Sequence, residues 1–262
     1  MHLQLVDHHQ AGDSAIHRLD PRVKVALTLL FILTVSLLPF GQFGAYALLW
    51  GAVLLVAGLA HVAFGYLLRR SLIAIPFALA AITLPFTVAG QPWLTLPVFG
   101  GLVLSVEGSV RFASILVKSW LSLQMAILLV TVTPVADLLW ALRALHVPQP
   151  LVAIAGFMYR YLFVLGEEVA RLLRARAARC AQTEGVRGGG TLAWRGKVAG
   201  RMAGSLMIRS IERSERIYNA MLARGYQGQM RVLQEPTLGS RDLLALAAGG
   251  LFLAILLATV TF

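Results

Sequence analysis

The sequence predicts an all-α integral membrane protein with about five transmembrane helices and a cytoplasmic domain of long amphipathic helices. Three observations carry that expectation. Of the 262 residues, 58% are hydrophobic and only 13% charged, with mean hydropathy +0.76, far more apolar than the usual globular mix. No Lys, Arg, Asp or Glu occurs from Val25 to Leu68 or from Ser71 to Val106, and a spanning helix needs only about 20 apolar residues. The 23 basic residues also alternate between loops: Arg18, Arg22 and Lys24 open the first apolar run, Arg69 and Arg70 follow the second, sixteen lie from Arg143 to Arg241, and none falls in 40–44 or 90–109.

Basic loops resist translocation, so this alternation places the N-terminus and the 132–241 segment in the cytoplasm of a multi-pass protein of the cell inner membrane. The elements follow in order. Residues 1–23 form a polar cytoplasmic tail without the basic-then-apolar order of a cleaved signal peptide, so the first membrane helix is expected to stay. Residues 24–131 form the membrane domain, with spans at 24–40, 44–64, 68–89 and 110–131. The third holds Pro76 and Pro85, tolerated where neighbours satisfy the freed carbonyls. Between the third and fourth, 90–108 is rich in Pro and Gly and reads as a hairpin. Residues 132–241 are a cytoplasmic domain of long amphipathic helices, and 242–262 the last span.

Within 132–241, Thr133 and Pro134 read as N-cap and first helical position, followed by a stripe of Val135, Leu138, Leu139, Leu142 and Leu145. A second helix opens near Pro150, is apolar through Leu165 and turns basic at EEVARLLRARAARC, with Glu167 spaced to pair with Arg171. A third runs from about Thr191 to Arg224, with Met207, Ile211, Tyr218 and Met221 along one side, and Gly225 supplies its stop. Both long helices end on Ala-Arg, at Ala178-Arg179 and Ala223-Arg224.

Composition and motifs exclude several functions. The net charge of +11 could suggest nucleic acid, but its placement is that of a membrane protein, so lipid and not nucleic acid is the expected surface. A phosphate-binding loop needs a glycine four residues ahead of Gly-Lys-Ser/Thr. In GGGTLAWRGKVAG that position is Thr191, and Val198 replaces the hydroxyl. Of twelve acidic residues only Glu167 and Glu168 are adjacent, and helix neighbours point about 100° apart; solvated helix charges are the preferred reading. No catalytic constellation, and hence no enzyme, is expected. The lone Cys180 excludes an intrachain disulfide.

No metal site is expected either. His2, His8, His9 and His17, with Asp7 and Asp13, match no defined ligand spacing, and solvated tail histidines are preferred. His61 reads as an interface residue. Lys118, inside the fourth span, has two readings of equal standing: a functional cation, or a snorkelling and packing residue.

Four ordered stretches, SAIHRLDPRVKV (14–25), TVTPVADLLWALRALHVP (131–148), FMYRYLFVLGEEVARLLRARAARC (157–180) and RSIERSERIYNAMLARGYQG (209–228), resemble the transmembrane T component of energy-coupling factor transporters. The resemblance is nearest to the cobalt/nickel branch, the CbiQ/NikQ type. It implies a non-catalytic subunit joining a pair of cytoplasmic ABC ATPases, which would hold the ATP and Mg, to a small membrane S component that binds the ion, with an additional small membrane subunit in some assemblies. No cofactor is expected in this chain. In that family, Ala-Arg-Gly motifs end the coupling helices and each arginine docks on one ATPase. Ala223, Arg224 and Gly225 match fully; Ala178 and Arg179 match, with Cys180 in place of glycine. Leu138, Leu142, Met207, Ile211, Tyr218 and Met221 are then the expected apolar coupling surfaces. The competing reading is a self-contained channel or secondary carrier with a cytoplasmic regulatory domain.

Overall fold

The computed structural model describes residues 12–74, 82–87, 92–96, 102–179, 191–228 and 238–261. Its elements are α1 (Pro21–Leu37), α2 (Phe43–Leu59), α3 (Phe64–Ser71) with a 3-10 turn at Leu72–Ala74, α4 (Leu84–Thr87), β1 (Pro92–Leu96), β2 (Leu102–Ser105), α5 (Val106–Val132), α6 (Val135–Ala144), α7 (Gln149–Arg179), α8 (Leu192–Ala223) and α9 (Ser240–Thr261). The chain divides into two compact units, one holding His146–Leu233 and the other Asp7–Leu145 with Gln234–Phe262.

The second unit is a helical bundle built around α1. Asp20 caps α1 by accepting from the Arg22 amide at 2.8 Å, with Pro21 in the first turn, where its missing N–H costs nothing. The backbone N–H of Asp20 in turn donates to Asp242 Oδ1 at 2.9 Å, and Asp242 Oδ2 accepts from the Gly239 amide at 2.9 Å. One carboxylate therefore caps the start of α9 and ties it to the start of α1. Lys24, 8% exposed, donates to the carbonyl of His17 at 2.9 Å and lies in the field of Asp137, Asp20 and Asp242. Arg22 stacks over Trp140 of α6 at 4.2 Å, and Val25 packs on Trp140 and Ala141. Three stretches remote in sequence thus meet where α1 begins.

At the other end of α1 the chain turns at Gly41 (φ +89°), whose amide donates to Ser114 Oγ at 2.9 Å, while Tyr46 Oη donates to Pro39 O at 2.7 Å. Lys118 Nζ donates to the carbonyls of Ser36 and Leu38, the open acceptors at the end of α1. An ammonium there meets both the orphan carbonyls and the negative end of the helix dipole. Of the two readings of Lys118, this geometry gives it a packing and capping role. These contacts run α5 antiparallel to α1, and the Asp20–Asp242 tie, with Leu27 against Gly249, runs α9 parallel to it.

Val35, Leu49 and Leu121 are fully buried between the helices. Leu29, Leu33 and Leu37, one turn apart on α1, are more than half exposed, as are Leu48 and Leu55 on α2. Leucines facing outward as densely as inward are what hydrocarbon solvent permits and water does not. Among the described residues, three helices are long and apolar enough to cross a membrane: Val106–Val132, Gln149–Arg179 and Ser240–Val260, with Phe43–Leu59 a shorter apolar helix. The protein is an all-α membrane protein.

Several expectations shift. Span 68–89 is not one helix among the described residues: α3 ends at Ser71, the 3-10 turn at Ala74, and Pro85 lies in the four-residue α4. Pro76 lies outside the described residues. The hairpin expected at 90–108 contains an antiparallel pair, β1 with β2, but Val106 already belongs to α5, whose N-cap Ser105 accepts from the Gly108 amide at 3.0 Å. Thr133 is not the N-cap of α6. It is the C-cap of α5, donating to Leu129 O at 3.0 Å, and Pro134 takes the N-cap. The buried face of α6 is Trp140 and Ala141, with Leu138 at its edge, because Arg22 and Val25 offer their surface on that side. The first, apolar half of α7 also makes it span-like, although its second half is basic.

Replacing Asp242 with Ala removes two charge-assisted hydrogen bonds and one counter-charge of Lys24. We expect a loss of about 1–3 kcal/mol of stability, read as a lower melting temperature of the detergent-solubilised protein, with Asp242→Asn losing less. An unchanged melting temperature for Asp242→Ala would show that α1 and α9 do not depend on this carboxylate.

Candidate functional site

The other unit is a pair of long helices. Glu168 of α7 accepts from Arg209 of α8 at 3.2 Å and from Arg171 on its own helix, while Arg176 lies over Trp194 at 5.9 Å. As residue numbers rise on α7 their partners fall on α8, so the helices are antiparallel. Glu168 is therefore more than a solvated charge: it joins the two helices, and Arg171 pairs with it rather than with the expected Glu167.

The C-terminus of α8 is a complete Schellman motif. Gly225, at φ +80°, donates to Leu222 O at 2.9 Å, and Tyr226 donates to Met221 O at 3.0 Å. An L-residue at positive φ brings Cβ against the carbonyl, whereas glycine has no such clash. The result is that Arg224 stands at the C-cap, and Ala223, Arg224 and Gly225 are all exposed. Among the described residues nothing lies within 4 Å of where a Cβ on Gly225 would sit, and its positive φ is what requires glycine there. At the end of α7, Ala178 and Arg179 are likewise exposed; Cys180 lies outside the described residues. Counting along α8 from the Glu168–Arg209 contact, the two arginine tips lie at opposite ends of the pair, roughly 40 Å apart at 1.5 Å rise per residue.

Between the helices, near the Arg224 tip, runs an apolar groove of about 670 Å³. The first half of α7 contributes Phe157 and Tyr161, and α8 contributes Ile211, Tyr218 and Met221. Three of the residues expected as coupling surface are thus brought together. Met207, 62% exposed, is not among the lining residues. Leu138 and Leu142 are half-buried on α6 in the other unit, Leu138 against Trp140 and Ala141. Phe157, Tyr161 and Tyr226 were missed, although the i, i+4 aromatic spacing of FMYRYLF was a signal: Phe157 and Tyr161 stack at 6.4 Å, and Tyr159 and Phe163 meet edge to face at 5.1 Å.

His2, His8 and His9 lie outside the described residues. His17 is hydrogen bonded to Ser14 Oγ at 2.7 Å, and among the described residues no group of three or more His, Cys, Asp or Glu is placed to hold a metal ion.

The bundle and the tipped helices define a class, an all-α membrane protein that carries paired long helices with exposed cationic ends. The family described as CbiQ, cobalt transport protein, matches residues 12–235, and the chain belongs to that family. Over 184 residues it is 32% identical to the cobalt transport protein CbiQ of Rhodobacter capsulatus, covering 70% of this chain and 72% of that one. Over 241 residues it is 29% identical to the energy-coupling factor transporter transmembrane protein EcfT of Bacillus subtilis, covering 87% and 86%. EcfT of Acidaminococcus fermentans is also 29% identical, over 224 residues, covering 83% and 81%. The chain is a transmembrane component of the energy-coupling factor type, as the four sequence blocks implied.

Substituting Gly225 with Ala should cost about 1–2 kcal/mol in the last turn of α8, seen as faster hydrogen exchange at the Gly225 and Tyr226 amides with little change at mid-helix. Unchanged exchange there would mean that the turn does not need positive φ.

Proposed function

We propose that this chain is the coupling subunit of a cobalt importer, with Arg179 and Arg224 docking on two separate cytoplasmic ATPase subunits and the long helices passing their motion to a small ion-binding membrane subunit. The carrying observation is the capped end of α8, where the chain turns away through Gly225 and leaves Arg224 exposed at the tip. An arginine at a helix C-terminus is favoured by the dipole and offers a planar fork of donors to a partner's carboxylates or carbonyls. Cobalt as cargo is supported by the family's description and by the Rhodobacter relative.

On this reading the chain catalyses nothing: ATP and Mg belong to the partner ATPases, and no cofactor is held here. It lies in the inner membrane with its N-terminus and the 132–241 segment in the cytoplasm, which the clustering of sixteen basic residues from Arg143 to Arg241 favours. The spacing of the tips supports two sockets on two motors, because arginines roughly 40 Å apart cannot share one groove.

Arg224→Glu and Arg179→Glu should each weaken co-purification of the ATPases by roughly thirtyfold or more, the usual scale for breaking a docked charge pair, and abolish cobalt uptake. Lys at either position should retain part of both. Uptake that persists in the double Glu variant, or that proceeds without nucleotide, would replace this reading with that of a self-contained carrier.

A further inference from the structure

Arg111 and Lys118 stand apart from the cations at the start of α1. They are seven residues apart on α5 and so share one face, and both approach the Phe40 ring, at 5.9 and 4.7 Å. This is the end of α1 remote from Arg18, Arg22 and Lys24. With those three in the cytoplasm, Arg111 and Lys118 lie on the outer side, where cations in short loops and helix ends are disfavoured.

The turn at 38–42 is non-helical backbone, which belongs at the bilayer interface rather than in hydrocarbon. Lys118 starts about one helical turn inside that level, four residues beyond Ser114, which binds the turn, and its ammonium reaches the carbonyls of Ser36 and Leu38. Two of its three N–H groups are used there, leaving one donor. Beside it a groove of about 590 Å³ opens between α1 and α5. Its walls are apolar at Ile32 and Ile115 and carry hydroxyls at Ser36, Ser119 and Ser122. Its form is therefore cationic at the level of the lipid headgroups and apolar alongside.

We propose that this groove binds an anionic phospholipid, its headgroup phosphate on Lys118 and Arg111 and an acyl chain along Ile32 and Ile115. The charges argue for that occupant. A phosphodiester carries one negative charge and can accept from both the remaining ammonium N–H and the guanidinium fork, whereas a zwitterionic headgroup brings its own ammonium to the same place.

The purified, delipidated full chain, titrated by native mass spectrometry, should bind phosphatidylglycerol roughly tenfold more tightly than phosphatidylcholine. Arg111→Gln, which leaves the Lys118 cap on α1 in place, should cut that preference several-fold. Ile115→Trp should reduce occupancy by filling the groove. A photo-reactive side chain at position 115 in the complete transporter should label phospholipid in native membranes. Equal binding of the two lipids, displacement of phosphatidylglycerol by millimolar inorganic phosphate, an undiminished preference in Arg111→Gln, or labelling of a protein partner in place of lipid would each overturn the proposal.

Discussion

Where α1 begins, three carboxylates and two cations hold three separate parts of the chain on one another. Asp20 caps α1, its own amide is held by Asp242, Asp242 caps α9, and Lys24 sits in the combined field of Asp20, Asp137 and Asp242. Such groups are costly to take out of water unless they are paired and hydrogen bonded. Here most of their bonding is to backbone N–H and C=O groups at helix starts, which need partners in any case. The cluster therefore satisfies helix ends and fixes topology with the same atoms. In a bilayer this matters more than in water, because apolar helix faces gain little by leaving lipid for one another, and polar contacts and close packing carry the specificity.

The opposite end of α1 is held by a different solution to the same problem. The carbonyls left open at Ser36 and Leu38 receive the Lys118 ammonium, and the turn that follows is held by Ser114 and Tyr46. Both ends of the 17-residue α1 are thus bound through backbone groups to helices distant in sequence. Between them, the helix shows one apolar face to Leu49 and Leu121 and another, Leu29, Leu33 and Leu37, to lipid. Only the ends distinguish this helix's correct neighbours from any other greasy surface. Asp20, Lys24 and Asp242 sit at one of those ends and Lys118 at the other.

What could be read from the sequence was whatever local chemistry determines. Gly225 as a helix stop, a helix opening near Thr191, the apolar first half of α7 and the apolar runs of α1, α2, α5 and α9 all follow from propensity, breakers and length, and all stand in the structure. What could not be read depended on partners. The buried face of α6 was assigned by periodicity to its leucines, yet Trp140 and Ala141 occupy it because Arg22 stacks there. Thr133 and Pro134 have the residue types of a helix start, but the preceding helix claims Thr133 first. Glu168 rather than Glu167 forms the ion pair because Arg209, forty-one residues away, selects it.

The antiparallel pairing of α7 and α8 gives the Ala-Arg tips a meaning that neither tip has alone. A single exposed arginine after a helix is an ordinary C-terminal charge, stabilised by the dipole and requiring no partner. Two helices ending in the same dipeptide at the same end would make one enlarged basic patch. With the helices antiparallel, each tip instead lies beside the start of the other helix, and Glu168 with Arg209 joins the pair between them. The two helices meet through that contact and, nearer Arg224, across the groove walled by Phe157 and Tyr161. The Schellman turn, in which the chain reverses within two residues, defines the end of α8 through backbone hydrogen bonds and leaves Arg224 exposed.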